Sequence, residues 1–244
     1  LMAYIMTRTD FYGVIFHSWM NPISPDLAVL GIDDQSLPTI ISFITSSSNT
    51  AYYKLIIGLL TGLAILYYIF RSGTFVKNMD NVVGGFIVGS VVALAWYLTG
   101  SSLGEEWIET NNFLDSPLPG VGVQSFTFIN PMGESIIYLS QSANMYYLTF
   151  GVTALLSVIL GSFVYSIMSK NFRIEWFQSK EDLKRHIIGA VLIGIGGVLS
   201  FGCTIGQGVS GVSTLALGSF VTLISIVIGA AIAMKIEYYN AVYE

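Results

Sequence analysis

The chain has 244 residues, is 53% hydrophobic and only 10% charged, and has a mean hydropathy of +0.69. Soluble domains carry about 25% charged residues, so a chain this apolar lacks the polar surface to face water all round and must meet lipid over much of its exterior. The net charge of −5 without a basic run offers nothing to nucleic acid, the single cysteine excludes an internal disulfide, and two distant histidines, His17 and His186, leave no metal centre of about four ligands and call for no cofactor.

The opening Leu1-Met2-Ala3-Tyr4-Ile5-Met6 is apolar but too short to span, and no basic residue precedes it as in a signal peptide. It reads as the tail of a helix that starts earlier, in a longer protein of which this chain is the C-terminal part. The expected organisation is one membrane domain over 1–244, with that tail and an outer segment in 1–50 and a transmembrane bundle in 51–244. About 20 helical residues cross a bilayer core. Five segments come near that length: 51–70, 82–100, 146–168, 187–201 and 215–234. The fourth is short and carries Gly194, Gly196 and Gly197, with Gly202 just beyond, which suits close packing and a break before the membrane surface. Asp80 and Asn81 read as caps of the second span. Lys54 reads as snorkelling from the outer end of the first, and His17 beside Trp19 reads as interfacial.

Charge in the connections orients these spans. Segments 71–81 and 169–186 hold Arg71, Lys77, Lys170, Arg173, Lys180, Lys184 and Arg185, whereas 21–50 and 101–145 hold acidic residues and no base. The positive-inside rule puts the first pair in the cytoplasm, the second pair outside, and the C-terminus, after Lys235, in the cytoplasm. All six prolines fall in the two outer segments. Glu134 near Pro131 reads there as a solvated loop charge. Tyr52, Tyr53, Trp96, Tyr97, Tyr146 and Tyr147 sit at span ends as interfacial anchors. Ser179, with Glu181 and Asp182 after it, predicts a helix N-cap. Ala3–Arg8 weakly echoes Ala231–Lys235 with the opposite orientation, the pattern of an inverted repeat.

Chemistry concentrates in 200–219, Ser-Phe-Gly-Cys-Thr-Ile-Gly-Gln-Gly-Val-Ser-Gly-Val-Ser-Thr-Leu-Ala-Leu-Gly-Ser. Gly202, Gly206, Gly208 and Gly211 make a long regular helix unfavourable. Irregular backbone at membrane depth is tolerated only inside protein or along a cavity. Ser210, Ser213 and Thr214 are candidate N-caps for the helix that follows, whose N-terminus would favour an anion. The expected substrate-binding set is Gly202, Cys203, Thr204, Gly206, Gln207, Ser210 and Ser213. The rival reading is a glycine packing interface around a small buried cysteine. No nucleotide-binding, zincin or serine-hydrolase motif occurs.

Gly202-Cys203-Thr204-Ile205-Gly206-Gln207-Gly208, continuing through Ser210-Gly211-Val212-Ser213-Thr214 to Phe220, resembles the signature of the YeeE/YedE family of bacterial inner-membrane proteins. Asp80–Gly85, Ala95–Gly100 and Phe172–Phe177 are also similar to that family. The resemblance implies an all-helical, multi-pass fold with inverted halves and broken, re-entrant segments. It implies non-enzymatic passage of thiosulfate or a related small sulfur anion by relay along cysteines, Cys203 falling on one of them. The family's earlier Gly-Cys-Gly segment does not occur here, and 1–40, including Asp26 and Gln35–Pro38, match the end of the family's first half. The expected partners are therefore the lipid bilayer, the anion, and a second polypeptide or larger complex supplying the remainder. The alternative is an accessory membrane subunit with no transport of its own. A sulfurtransferase with a persulfide on Cys203 ranks last, because no base or cation stands near that cysteine in sequence.

Overall fold

The computed structural model describes residues 1–20, 22–23, 34–45, 49–71, 73–118 and 120–243. Asp26, Asp33, Pro25, Pro119 and Ser72 lie outside the described residues. The longer helices are α1 (Met2–Arg8), α2 (Leu37–Ile44), α3 (Thr50–Arg71), α4 (Met79–Gly100), α5 (Ser102–Asn112), α6 (Ile129–Ser140), α7 (Phe150–Met168), α8 (Lys180–Leu199) and α9 (Leu217–Tyr243). Among the described residues there is no strand, only an antiparallel bridge between Ser36 and Ala216.

Four helices are long and apolar enough to cross a membrane: α3, α4, α7 and the Leu217–Asn240 stretch of α9. They match the expected spans 51–70, 82–100, 146–168 and 215–234. In α3 no residue is buried, and Leu59, Leu60, Leu63 and Phe70 all face outward. Lipid is the environment in which such a helix loses no free energy by exposing them. The segment 187–201 falls in α8, which gives its first turns to Lys180-Glu181-Asp182-Leu183-Lys184-Arg185-His186. At ~1.5 Å per residue, the apolar remainder to Leu199 rises only about 20 Å, short of the ~30 Å hydrocarbon core.

Local capping explains several boundaries. Ser179 caps α8 as expected, its Oγ accepting from Asp182 N at 3.0 Å. The cap of α4 is a correction: Asn78 Oδ1, one residue before the helix, accepts from Asp80 N at 3.1 Å, and Asp80 and Asn81 lie inside the first turn. The 101–145 segment is a second correction. It contains α5 and α6, and α6 buries Ile129, Pro131, Gly133 and Glu134. Proline is tolerated in a helix's first turn, where its missing N–H would be unpaired anyway. Pro131 therefore starts α6 and Pro38 starts α2.

The chain falls into two compact units, Leu1–Ile23 with Ala95–Gly206, and Ser24–Leu94 with Gln207–Glu244. In the first, α1 packs on α6 and α8, and α6 packs on α7. Ala3, Met6, Ile129, Val152 and Ala154 are buried. A seven-residue helix is unstable alone, so α1 exists because its Ala3–Met6 face is covered. The approach requires glycine: a Cβ on Gly194 would stand 2.6 Å from Met2 Cβ, and one on Gly197 2.5 Å from Ile129 Cδ1. In the second unit α2 packs on α3. Leu37 N donates to Leu215 O at 2.8 Å and Leu217 N to Gln35 O at 3.1 Å, joining the starts of α2 and α9.

Candidate functional site

The glycine-rich segment leaves α8 through a closed C-terminal turn. Gly202 N donates to Gly197 O at 2.9 Å and Phe201 N to Val198 O at 3.1 Å. This is the Schellman arrangement, which places one residue in the left-handed region. Glycine usually occupies that position, but here it is Phe201, at φ 56°. A side chain there costs roughly 1–2 kcal/mol, and such strain gathers at functional sites. A short helix over 204–213 follows, wound wide across Gly206–Gly211. Leu215, at φ 59°, then turns the chain into α9.

Cys203 stands immediately before the short helix and is half-buried. Its Sγ accepts from Gly206 N at 3.4 Å, taking the role of an N-cap oxygen. Because the sulfur accepts through a lone pair, its S–H remains a donor. Gly206 is fixed by crowding: a Cβ there would meet Thr127 Oγ1 at 2.6 Å.

A cavity of about 580 Å³ opens in the same unit, reaching Gly202, one residue short of Cys203. Its polar lining comes from Thr7, Tyr12, Thr127 and Asn130, its apolar lining from Met6, Ile129 and Val198. Behind Asn130 lies Glu134, which is a correction: it is buried, at 9% exposure, rather than a solvated loop charge. Asn130 Nδ2 donates to Glu134 Oε1 at 2.9 Å, and Thr149 Oγ1 donates to Oε2 at 2.7 Å. Arg8 Nη2 lies 3.9 Å from Oε1.

The second unit holds the other expected residues. Ser219 Oγ donates to Gln207 Oε1 at 2.5 Å, Ser210 is buried, and Ser213 Oγ donates to Ser210 O at 2.6 Å. Thr214 Oγ1 donates to Gly211 O at 2.7 Å. Ser213 and Thr214 donate to carbonyls late in the short helix, and the next long helix starts at Leu217 with its first carbonyl acceptor at Ala216, so Ser210, Ser213 and Thr214 precede its N-cap position. A cavity of about 540 Å³ in this unit is lined by Lys54, Thr61, Gly208, Ser213 and Thr214, among others. Lys54 does more than snorkel: its Nζ lies 3.0 Å from Asp34 Oδ2. Burial pushes the Asp34 carboxyl up, but hydrogen bonds from Lys54 and Ser36 and the Lys54 charge outweigh it and hold the group below its ordinary value.

Gly202, Cys203, Thr204 and Gly206 thus belong to the first unit, and Gln207, Ser210 and Ser213 to the second. Arg8, Thr127, Asn130 and Glu134 were not singled out by the sequence as site residues. The i,i+4 pair Asn130–Glu134 on one helical face was a usable signal, obscured because prolines made the region read as loop. Among the described residues, no three His, Cys, Asp or Glu side chains are grouped to hold a metal ion.

A family model described as "Sulphur transport" matches residues 17–232. The chain is similar to the thiosulfate transporter TsuA of Escherichia coli (strain K12), at 24% identity over 164 residues, or 67% of this chain and 41% of that protein. No solved structure matches the chain.

Proposed function

We propose, from the premise that the chain belongs to the sulphur transport family, that it forms part of a path carrying thiosulfate or a similar small sulfur anion across a bacterial inner membrane. The observation that carries this reading is a cavity of about 580 Å³ ending at the Cys203 turn, in a chain whose longest helices face lipid. The cavity offers hydroxyls and an amide, and Cys203 directly follows its lining residue Gly202 in the chain. Weak donors of this kind let an anion enter and also leave, as conduction requires. Cys203 is proposed to offer its S–H to the anion. Gly202 and Gly206 supply close backbone approach. Thr204 is proposed to add to the polar lining within the first unit, and Gln207, Ser210 and Ser213 to bind the anion within the second. No bond of the anion is made or broken.

The basic connections favour the cytoplasmic side for 71–81, 169–186 and the C-terminus. The matched stretch covers 41% of the curated relative, so a further polypeptide or chain segment is proposed to complete the path. Uptake of radiolabelled thiosulfate into membrane vesicles tests the proposal, comparing this chain with an N-terminally extended form. Uptake above empty vesicles by the extended form supports it. No uptake by either, with both inserted, contradicts it.

A further inference from the structure

The second unit's cavity, of about 540 Å³, has a cation in its lining. From α3 come Lys54, Gly58, Thr61, Gly62 and Ile65, whose spacing puts them on one face of the helix. Gly208, Ser213 and Thr214 line it from the glycine-rich segment. Beside Gly62 the space is open, with no neighbouring atom within 4 Å of where a Cβ would stand. The lining hydroxyls are uncharged and rest on backbone carbonyls. Thr61 Oγ1 donates to Ile57 O at 2.7 Å, Ser213 Oγ to Ser210 O at 2.6 Å and Thr214 Oγ1 to Gly211 O at 2.7 Å. A hydroxyl can turn toward a guest, but it cannot offset the charge of an anion leaving water, which is costly without a cation. Among the described lining residues, Lys54 is the charged one.

Resting on the transport reading above, we propose that Lys54 is the residue that admits the anion to this cavity, and that Asp34 is a positioning residue which holds the ammonium there until the anion displaces it. Lys54 Nζ donates to Asp34 Oδ2 at 3.0 Å, and an ammonium has three N–H donors, so one contact does not exhaust it. Asp34 does not depend on Lys54. Its Oδ1 accepts from Ser36 N at 3.0 Å, and its Oδ2 accepts from Ser36 Oγ at 3.0 Å and from Thr39 Oγ1 at 3.2 Å. The turn into α2 therefore fixes the carboxylate, while Lys54 reaches it on a flexible four-carbon stem. Both side chains are about half exposed, which keeps their attraction weak and the exchange easy. A doubly charged oxyanion outcompetes one carboxylate for the ammonium, and Asp34 keeps its Ser36 and Thr39 donors when Lys54 turns away. The exchange moves one ammonium between two anions and needs no proton. It also selects by charge, because an uncharged sulfur compound cannot displace Asp34.

The two halves of the pair give the test, because breaking it from either side has opposite consequences. Initial rates of radiolabelled thiosulfate uptake are measured over a range of concentrations, in vesicles holding equal amounts of the complete protein. Lys54→Gln removes the receiving charge and is expected to raise KM about tenfold, the loss of one charge-assisted contact. Asp34→Asn removes the competing carboxylate and is expected to lower KM about two- to fivefold. Lys54→Arg keeps the charge and is expected to stay near wild type. A pair that merely ties α3 to the turn before α2 would respond alike to Lys54→Gln and Asp34→Asn. If Lys54→Gln does not insert, the direction of the Asp34→Asn shift decides. An unchanged KM in Lys54→Gln, or a KM that is unchanged or raised in Asp34→Asn, would each overturn this proposal while wild-type uptake leaves the transport reading intact. A wild-type protein that takes up no thiosulfate would remove both.

Discussion

Cys203 is assigned two roles: its sulfur caps the short helix by accepting from Gly206 N, and its S–H is left as a donor. The two roles separate by mutation. Cys203→Ala removes both and is expected to cost about 1 kcal/mol of stability, the value of a lost cap, while abolishing most thiosulfate uptake. Cys203→Ser keeps a capping oxygen but exchanges a soft sulfur for a hydroxyl, so it should melt close to wild type and still transport poorly. Melting curves in detergent beside vesicle uptake check both. Phe201 gives a third expectation. Its left-handed backbone is unfavourable for any side chain, so Phe201→Gly should raise stability by about 1 kcal/mol in a thermal melt. The cysteine and its glycines were legible in the sequence because so many small and polar residues between two apolar spans are unusual. Arg8 and Glu134 were not, because their 126-residue separation is closed only by the packing of α1 on α6.

At the scale of elements, hydrophobic length revealed α3, α4, α7 and α9, and the Ser179 cap revealed the start of α8. Two short buried helices showed less clearly. The opening residues read as a helix tail, as α1 confirms, but gave no sign of what covers its Ala3–Met6 face, and α6 hides behind Pro131 in a stretch of low basic charge that reads as loop. The Lys54–Asp34 pair links α3 to the turn before α2, where Ser36 Oγ also donates to Asp34 Oδ2 at 3.0 Å. Because the folded Asp34 group is held below its unfolded value, its contribution is present above the ordinary carboxylate range. It is lost as pH falls through the folded value. Acid melts below about pH 4 should therefore show a stability loss that is absent in Asp34→Asn, and the effect should be small because both partners are about half exposed. Orientation belongs to this scale too. In a Cys203→Ala background, a membrane-impermeant thiol reagent applied from outside should fail to label Asn171→Cys in the basic connection before α8, and strong labelling would invert the topology.

For the whole molecule, composition alone required lipid, and the four lipid-facing helices meet that requirement. The internal echo between Ala3–Arg8 and Ala231–Lys235 did not anticipate how the chain divides. The boundary between the two compact units falls at Gly206–Gln207, inside the very motif that carries the proposed chemistry. Periodicity cannot show such a division, because consecutive residues of one short helix belong to different packed units. Each unit has its own cavity and its own ion pair, Arg8–Glu134 in the first and Lys54–Asp34 in the second. The central claim, that an anion passes the Cys203 turn, is tested most directly by radiolabelled thiosulfate uptake into vesicles holding the complete protein, with wild type and Cys203→Ala inserted at equal levels. Passage beside the thiol predicts uptake by wild type and near-background uptake by Cys203→Ala. Equal uptake by the two would make Cys203 a packing residue and contradict the claim.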